Sequence, residues 1–198
     1  MPTIDREALE TAMLAELRAA WQTLRGRHPG ERFYAFGLYT TDLADYLTVT
    51  ASTEEGLSEV TQRYVTETGS DPVAQRVALR WSPGDSPLHA EGEGLLAESD
   101  RLRRGGPGPY DDTPEADEAI SLVFDVAIQA LKRLDEEGVF GQGLERAQLV
   151  LGIWKGDQSD EERLEFASLL NPRAVADRFA REVADRSRAF FADNAGPA

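Results

Sequence analysis

Apolar residues recur at three- and four-residue steps through Leu9, Met13, Leu17, Trp21 and Leu24. That spacing predicts an amphipathic helix over 5–24 with one buried stripe. Gly26, Pro29 and Gly30 end it. FYAFGLY, residues 33–39, is apolar throughout and predicts a short strand covered on both faces. After the turn TTDLAD, residues 46–51 alternate, with Leu47, Val49 and Ala51 on one face and Tyr46, Thr48 and Thr50 on the other. This predicts a half-buried second strand, joined to the first as a hairpin. The stretch STEEG follows. Ser52 with Glu55 three residues later reads as a capping box, opening a helix with Leu57, Val60, Tyr64 and Val65 on its inner side and a stop near Gly69. With Glu54 and Glu55 in its first turn, that helix start would repel an anion rather than bind one. Ser159 and Glu162 repeat the device.

Residues 73–81 alternate again, placing Val73, Gln75, Val77, Leu79 and Trp81 opposite Arg76 and Arg80, and predict a third strand. The segment 82–113 is an irregular, Gly/Pro-rich, acidic region. A short helix or edge strand is compatible with 88–102, but GGPGP permits neither. Thr113 and Pro114 suit the cap and first position of a long helix over 114–137, whose stripe is Ile120, Phe124, Ala127, Ile128, Leu131 and Leu134. Residues 147–154 are apolar enough for a fourth, central strand. Helices over 160–170 and 172–193 follow, separated by Asn171 and Pro172 as cap and first residue of the second. Val175, Phe179, Val183 and Phe190 form that helix's buried side. The expected architecture is α+β: a single domain over 1–198, with one small mixed or antiparallel sheet of about four strands and helices packed on it.

Composition narrows the chemistry. The chain has 198 residues and 41% hydrophobic content, enough for one domain that buries roughly 70% of its unfolded surface. Without cysteine, disulfides, zinc-thiolate sites and cysteine nucleophiles are excluded. Only Lys132 and Lys155 stand among 21 basic residues, a skew that points to a GC-rich bacterial genome. No apolar run approaches the ~20 residues of a membrane span, and the charged start MPTIDREALE lacks the pattern of a signal peptide, so a cytoplasmic protein is expected. The net charge is −15. Between Asp85 and Glu118 ten acids face three bases, so 3 − 10 places −7 of it in one segment. Such a surface disfavours nucleic acid and steers a basic protein partner in, or serves solubility alone.

The standard constellations are missing. Neither lysine precedes Ser or Thr as a phosphate loop requires, and GGPGP does not follow a strand. The histidines, His28 and His89, stand apart beside prolines, and no Gly-x-Ser-x-Gly elbow is present. No motif implies a cofactor, a metal or a catalytic residue. The candidate binding residues are Arg80 and Trp81 in RWSP, Glu91 and Glu93 in EGEG, and Tyr110 and Asp111 before the long helix. Glu91, Glu93, Asp111 and Asp112 offer hard oxygen donors or acid–base groups, although a chain with 36 acids produces such pairs by chance. Arg80 either meets a ligand carboxylate or pairs with a surface acid, and Trp81 either lines a cleft or fills the core.

FYAFGLYT, TASTEEGL, RWSP, EGEG, LDEEGVFG and SLLNP, in this order, resemble an uncharacterised bacterial family, domain of unknown function 4303. The resemblance runs from about Phe33 to Phe191. It implies a bacterial cytoplasmic domain of this length and carries over no activity or site residue. Taken together, these features lead to the expectation of a non-catalytic interaction protein of the immunity or antitoxin kind, with an acidic surface for a basic partner. The alternative is a small-molecule binder or hydrolase with a cleft around 80–112.

Overall fold

The α+β class holds, with one strand fewer than the pattern suggests. The computed structural model describes residues 3–194, with side chains through residue 188. In chain order the elements are α1 (Arg6–Arg27), β1 (Phe33–Thr40), β2 (Thr48–Thr53), α2 (Glu54–Thr68), α3 (Pro72–Arg80), a single 3-10 turn (Pro83–Asp85), α4 (Pro87–Glu91), α5 (Ala97–Arg103), α6 (Pro114–Glu136), α7 (Gly143–Gln148), β3 (Val150–Lys155), α8 (Asp160–Leu170) and α9 (Arg173–Asn194). The sheet is mixed, in the order β2-β1-β3. β1 pairs antiparallel with β2 and parallel with β3. The strand over 147–154 therefore exists but lies at an edge, and β1 is the centre.

Both faces of the sheet are covered, so all six residues of β2 are buried rather than every second one. On one face Phe36, Leu38, Val49, Leu151 and Ile153 share a core with Leu9, Met13, Leu17 and Trp21 of α1 and Val126, Ala130 and Leu134 of α6. Trp21 meets Phe33, Phe36 and Phe140 edge-on at 5.0–5.5 Å, the favoured aromatic geometry. On the other face Tyr34, Val150 and Trp154 pack with Leu57, Leu79, Trp81, Ala167, Val175, Phe179 and Val183. Gly37 and Gly152 are direct partners across the parallel pair. A Cβ at Gly152 would lie 2.6 Å from the Trp154 indole, so the glycine is what lets that ring lie along the sheet. Phe190 lies outside the described side chains.

Segment 73–81 is a helix, not a strand. The Asp71 carboxylate accepts from the Val73 and Ala74 amides at 3.0 and 2.8 Å, and Pro72 occupies the first turn. These are strong helix starters. A second correction concerns STEEG. β2 continues through Ser52 and Thr53 because both pair with β1. The cap of α2 is Thr53, whose Oγ1 accepts from the Gly56 amide at 3.0 Å. Glu55 instead accepts from the Arg32 amide and Nε at 2.8 and 2.9 Å. At Ser159 the capping box with Glu162 is present.

Asn171 is the C-cap of α8, and its amide has a further role. Its Oδ1 accepts from the Leu151 amide at 2.8 Å and its Nδ2 donates to the Leu151 carbonyl at 2.7 Å. The side chain thus stands where a fourth strand would pair with the outer edge of β3. Segment 82–113 is less irregular than its composition suggests. α4 packs on β2 and α5 on α1, leaving turns around 104–113.

Candidate functional site

The acidic segment sorts itself once its partners are visible. Glu98 pairs with Arg101, and Asp100 with Arg103 and Arg104. Glu91 takes His28 and Arg27. Asp85 accepts hydroxyl protons from Tyr64 and Ser82. All three bases of the segment are therefore engaged by two of its ten acids. Asp111, Asp112, Glu115, Asp117 and Glu118 are exposed and form no ion pair among the described residues, and the same holds for Asp125.

Four of these carboxylates line one groove. Glu115, Glu118, Ala119, Leu122 and Asp125 recur along one side of α6, with Asp117 and Ser121 beside them. Thr3, Ile4 and Arg6 at the start of α1, and Pro107 from the glycine-rich turn, form the other wall. The space is about 530 Å³. Its floor is apolar, since Ile4 and Leu122 pack on the main core, and its rim carries Glu115, Asp117, Glu118 and Asp125 against Arg6, the one cation of the lining among the described residues. α6 starts here because the Thr113 hydroxyl accepts from the Ala116 amide at 3.2 Å and Pro114 fills the first position. Glu115 and Asp117 favour the positive end of the helix dipole. Glu118 and Asp125 lie beyond the turn where that effect is felt, so helix starting does not account for them. The run of acids was visible in the sequence. Ile4, Arg6, Leu122 and Asp125 were not singled out, because a groove wall supplied from residues 3–6 leaves no local signal near 115–125.

The six residues expected to bind are distributed as follows. Arg80 donates through Nε to Glu182 at 2.7 Å and through Nη1 to Glu54 at 2.8 Å, and its guanidinium lies 4.3 Å from the Tyr34 ring centre. Trp81 is 2% exposed, edge-on to Tyr34 and Phe179. Glu91 closes on His28 Nε2 at 2.8 Å, while Glu31 holds Nδ1 at 2.9 Å. Glu93 is exposed. Tyr110 projects into solvent and donates to Asp45, and Asp111 accepts from the Gly108 amide at 2.9 Å. Arg80 and Trp81 adjoin, while the other four share no hydrogen-bond or ion-pair partner with them among the described residues.

The histidines differ in their surroundings. Burial by itself would lower the His28 pKa, but its hydrogen bonds to Glu31 and Glu91 outweigh that and raise it. Burial holds His89 below its ordinary value, edge-on to Tyr39. Among the described residues, no group of three or more His, Asp or Glu is arranged to hold a metal ion. No described helix is long and apolar enough to cross a membrane. No curated protein and no solved structure matches the chain. A family model does match, over residues 13–172, from the first buried turns of α1 to the Asn171-Pro172 step, and the chain belongs to that family, described as a domain of unknown function (DUF4303).

Proposed function

We propose that this protein is a non-catalytic interaction module that receives a basic, apolar-faced segment of a partner protein in the groove between α1 and α6. The observation that carries this reading is the row of carboxylates Glu115, Asp117, Glu118 and Asp125, without an ion pair among the described residues, over an apolar floor. Other acids, such as Glu54, Glu98, Asp100 and Glu137, sit against arginines, and the exposed acids without an ion pair elsewhere among the described residues, such as Glu59, Glu67 and Glu161, do not line this groove. Carboxylates without ion-pair partners among the described residues, rimming a partly buried apolar base, complement lysine and arginine side chains flanking one or two apolar anchors. Binding of a segment of that kind to an acidic cover is the arrangement of immunity and antitoxin proteins, an analogy of class only.

The test uses the double charge reversal Glu118→Lys with Asp125→Lys, and a control reversal at the exposed Glu161 of α8. Binding of an amphipathic Lys/Leu helical peptide, and of any basic protein recovered from the source cells, is measured by fluorescence anisotropy at rising ionic strength. The wild type and the control bind and lose affinity with salt, and the double reversal weakens binding at least tenfold. Equal binding by all three proteins, or preference for a Glu/Leu peptide, refutes the proposal.

A further inference from the structure

At the other end of the sheet, sharing no residue with the groove, lies a cleft of about 200 Å³ lined by Arg32, Phe33, Tyr34, Glu54, Arg80, Gln148, Arg178 and Glu182. We infer that this cleft binds a small oxyanion, a carboxylate or a phosphate group, independently of the partner groove.

The argument starts from charge. Arg32 pairs with Glu55, Arg76 and Arg80 share Glu54, and Arg80 and Arg178 share Glu182. Four guanidinium groups meet three carboxylates, and 4 − 3 leaves +1 in a protein whose total is −15. This is a local reversal of sign, and its acids are already engaged. Arg178 is further held below its ordinary pKa by burial and by Arg80, Arg146 and Arg181, with Glu182 opposing. An arriving anion would therefore relieve a cationic excess.

The second step is donor geometry. Arg80 is fixed from two sides and stacked on Tyr34, so its position is set before any ligand arrives. Its Nε and Nη1 are used, and its Nη2 has no hydrogen-bond partner among the described residues. Arg178 spends one proton of each terminal nitrogen on the Ala147 and Gln148 carbonyls and retains a second on each. Arg32 commits its Nε to Glu55, and its terminal nitrogens have no hydrogen-bond partner among the described residues. The Gln148 amide, also free of side-chain bonds among the described residues, completes the lining. Planar guanidinium forks held in place are the favoured partners of carboxylate and phosphate. The volume is below the ~300–1,000 Å³ of sites for larger ligands, which suits a compact anion. Tyr34, whose phenol burial pushes up to about 12, stays neutral and adds no repulsion.

The experiment is calorimetric titration of the full chain with inorganic phosphate and, separately, with succinate, against sodium chloride at matched ionic strength. The two arms distinguish a phosphate from a carboxylate ligand. Saturable binding of one or both is expected, weakened at least tenfold by Arg178→Gln and several-fold by Arg32→Gln, and unchanged by the groove reversal Glu118→Lys. Arg32 is an exposed side chain, so its variant remains folded and decides the matter if Arg178→Gln does not fold. No saturable heat with either anion up to about 10 mM, a range that covers millimolar affinity, overturns the inference. Binding that Arg32→Gln leaves unaltered overturns it equally.

Discussion

Replacing Asn171 by alanine removes one small side chain and leaves the outer edge of β3 without a partner. The amide uses its full hydrogen-bonding capacity of two donated and two accepted bonds. Nδ2 donates to the Leu151 and Ala167 carbonyls at 2.7 and 3.0 Å, and Oδ1 accepts from the Leu151 amide at 2.8 Å and from Arg146 Nη2 at 3.2 Å. Leu151 is 0% exposed, so water does not replace what is lost. A buried backbone group left unsatisfied costs about 1–3 kcal/mol, and Leu151 contributes two. Arg146, 7% exposed, keeps Asp135 and the Leu149 carbonyl as partners, so its loss is smaller. The expected destabilisation is about 3–5 kcal/mol, in the upper range for single substitutions, measured by urea unfolding followed through tryptophan fluorescence. Amide exchange at Leu151 should accelerate far more than at Phe36, which faces the same strand from β1. Asn171→Asp separates the parts. It still accepts from Leu151 and Arg146 but turns a second oxygen toward two carbonyls, so the Leu151 amide stays protected while stability falls. A cost under 1 kcal/mol for Asn171→Ala, with unchanged protection at Leu151, would refute the account of this edge.

Three further outcomes follow from named contacts. His28 sits between Glu31 and Glu91, with Arg27 on Glu91 and the Thr53 hydroxyl on Glu31 at 2.6 Å. Because its folded pKa is raised, its contribution is complete below the unfolded value of about 6.5 and is lost as pH rises through the folded value. His28→Gln should therefore cost about 1–2 kcal/mol at pH 5.5 and distinctly less at pH 8.5 by urea unfolding, and a penalty independent of pH contradicts this. Thr53→Ala removes the α2 cap and should cost about 0.5–2 kcal/mol, more than Ser52→Ala, and the reverse order would restore Ser52 as the cap. A Cβ at Gly92 would lie 1.8 Å from the Val49 carbonyl oxygen at ordinary backbone angles. Gly92→Ala should therefore lift α4 from β2 at about 2 kcal/mol or more, and a melting temperature equal to wild type argues against that contact.

How much of this was readable from the chain depends on whether the deciding contact is local. α1, α6 and α8 start and stop close to where their stripes and caps predict, since cap, proline and first-turn acids all lie within four residues. Segment 73–81 misleads for a definable reason. Val73 and Val77 are four apart, a spacing that a strand and a helix share, and the Asp71-Pro72 start signal carries the decision. On the helix Arg76 and Arg80 fall one turn apart, which lets both reach Glu54. On a strand they would share a face as well, so the arginines did not break the tie. The cap at STEEG misleads differently. Ser52 and Glu55 have the right spacing, but pairing with β1 carries the strand one residue past Ser52, and Arg32, 23 residues away, takes the Glu55 carboxylate. The strand that the pattern adds is 73–81, which folds as α3, and the outer edge of β3 is met by the Asn171 side chain, a pairing that no periodicity encodes.

The acidic surface shows the same division between local and distant contacts. An acid and an arginine three or four positions apart on a helix pair as neighbours, and this spacing joins Glu98 to Arg101 and Asp100 to Arg103 and Arg104. Subtracting those pairs from the −7 of residues 85–118 removes every base and two acids, and moves the centre of the remaining charge toward residues 111–118 and the start of α6. That step needs only the sequence. What it cannot supply is the opposite wall: Ile4 and Arg6 come from the chain start, more than a hundred residues away, and only the packing of α1 against α6 brings an apolar floor beneath those carboxylates. The oxyanion cleft is the more remote case, because its excess charge exists only where Arg32 just before β1, Arg80 of α3 and Arg178 of α9 meet. A charge run is thus a guide to which surface is free, and a poor guide to where an arginine will be held for use.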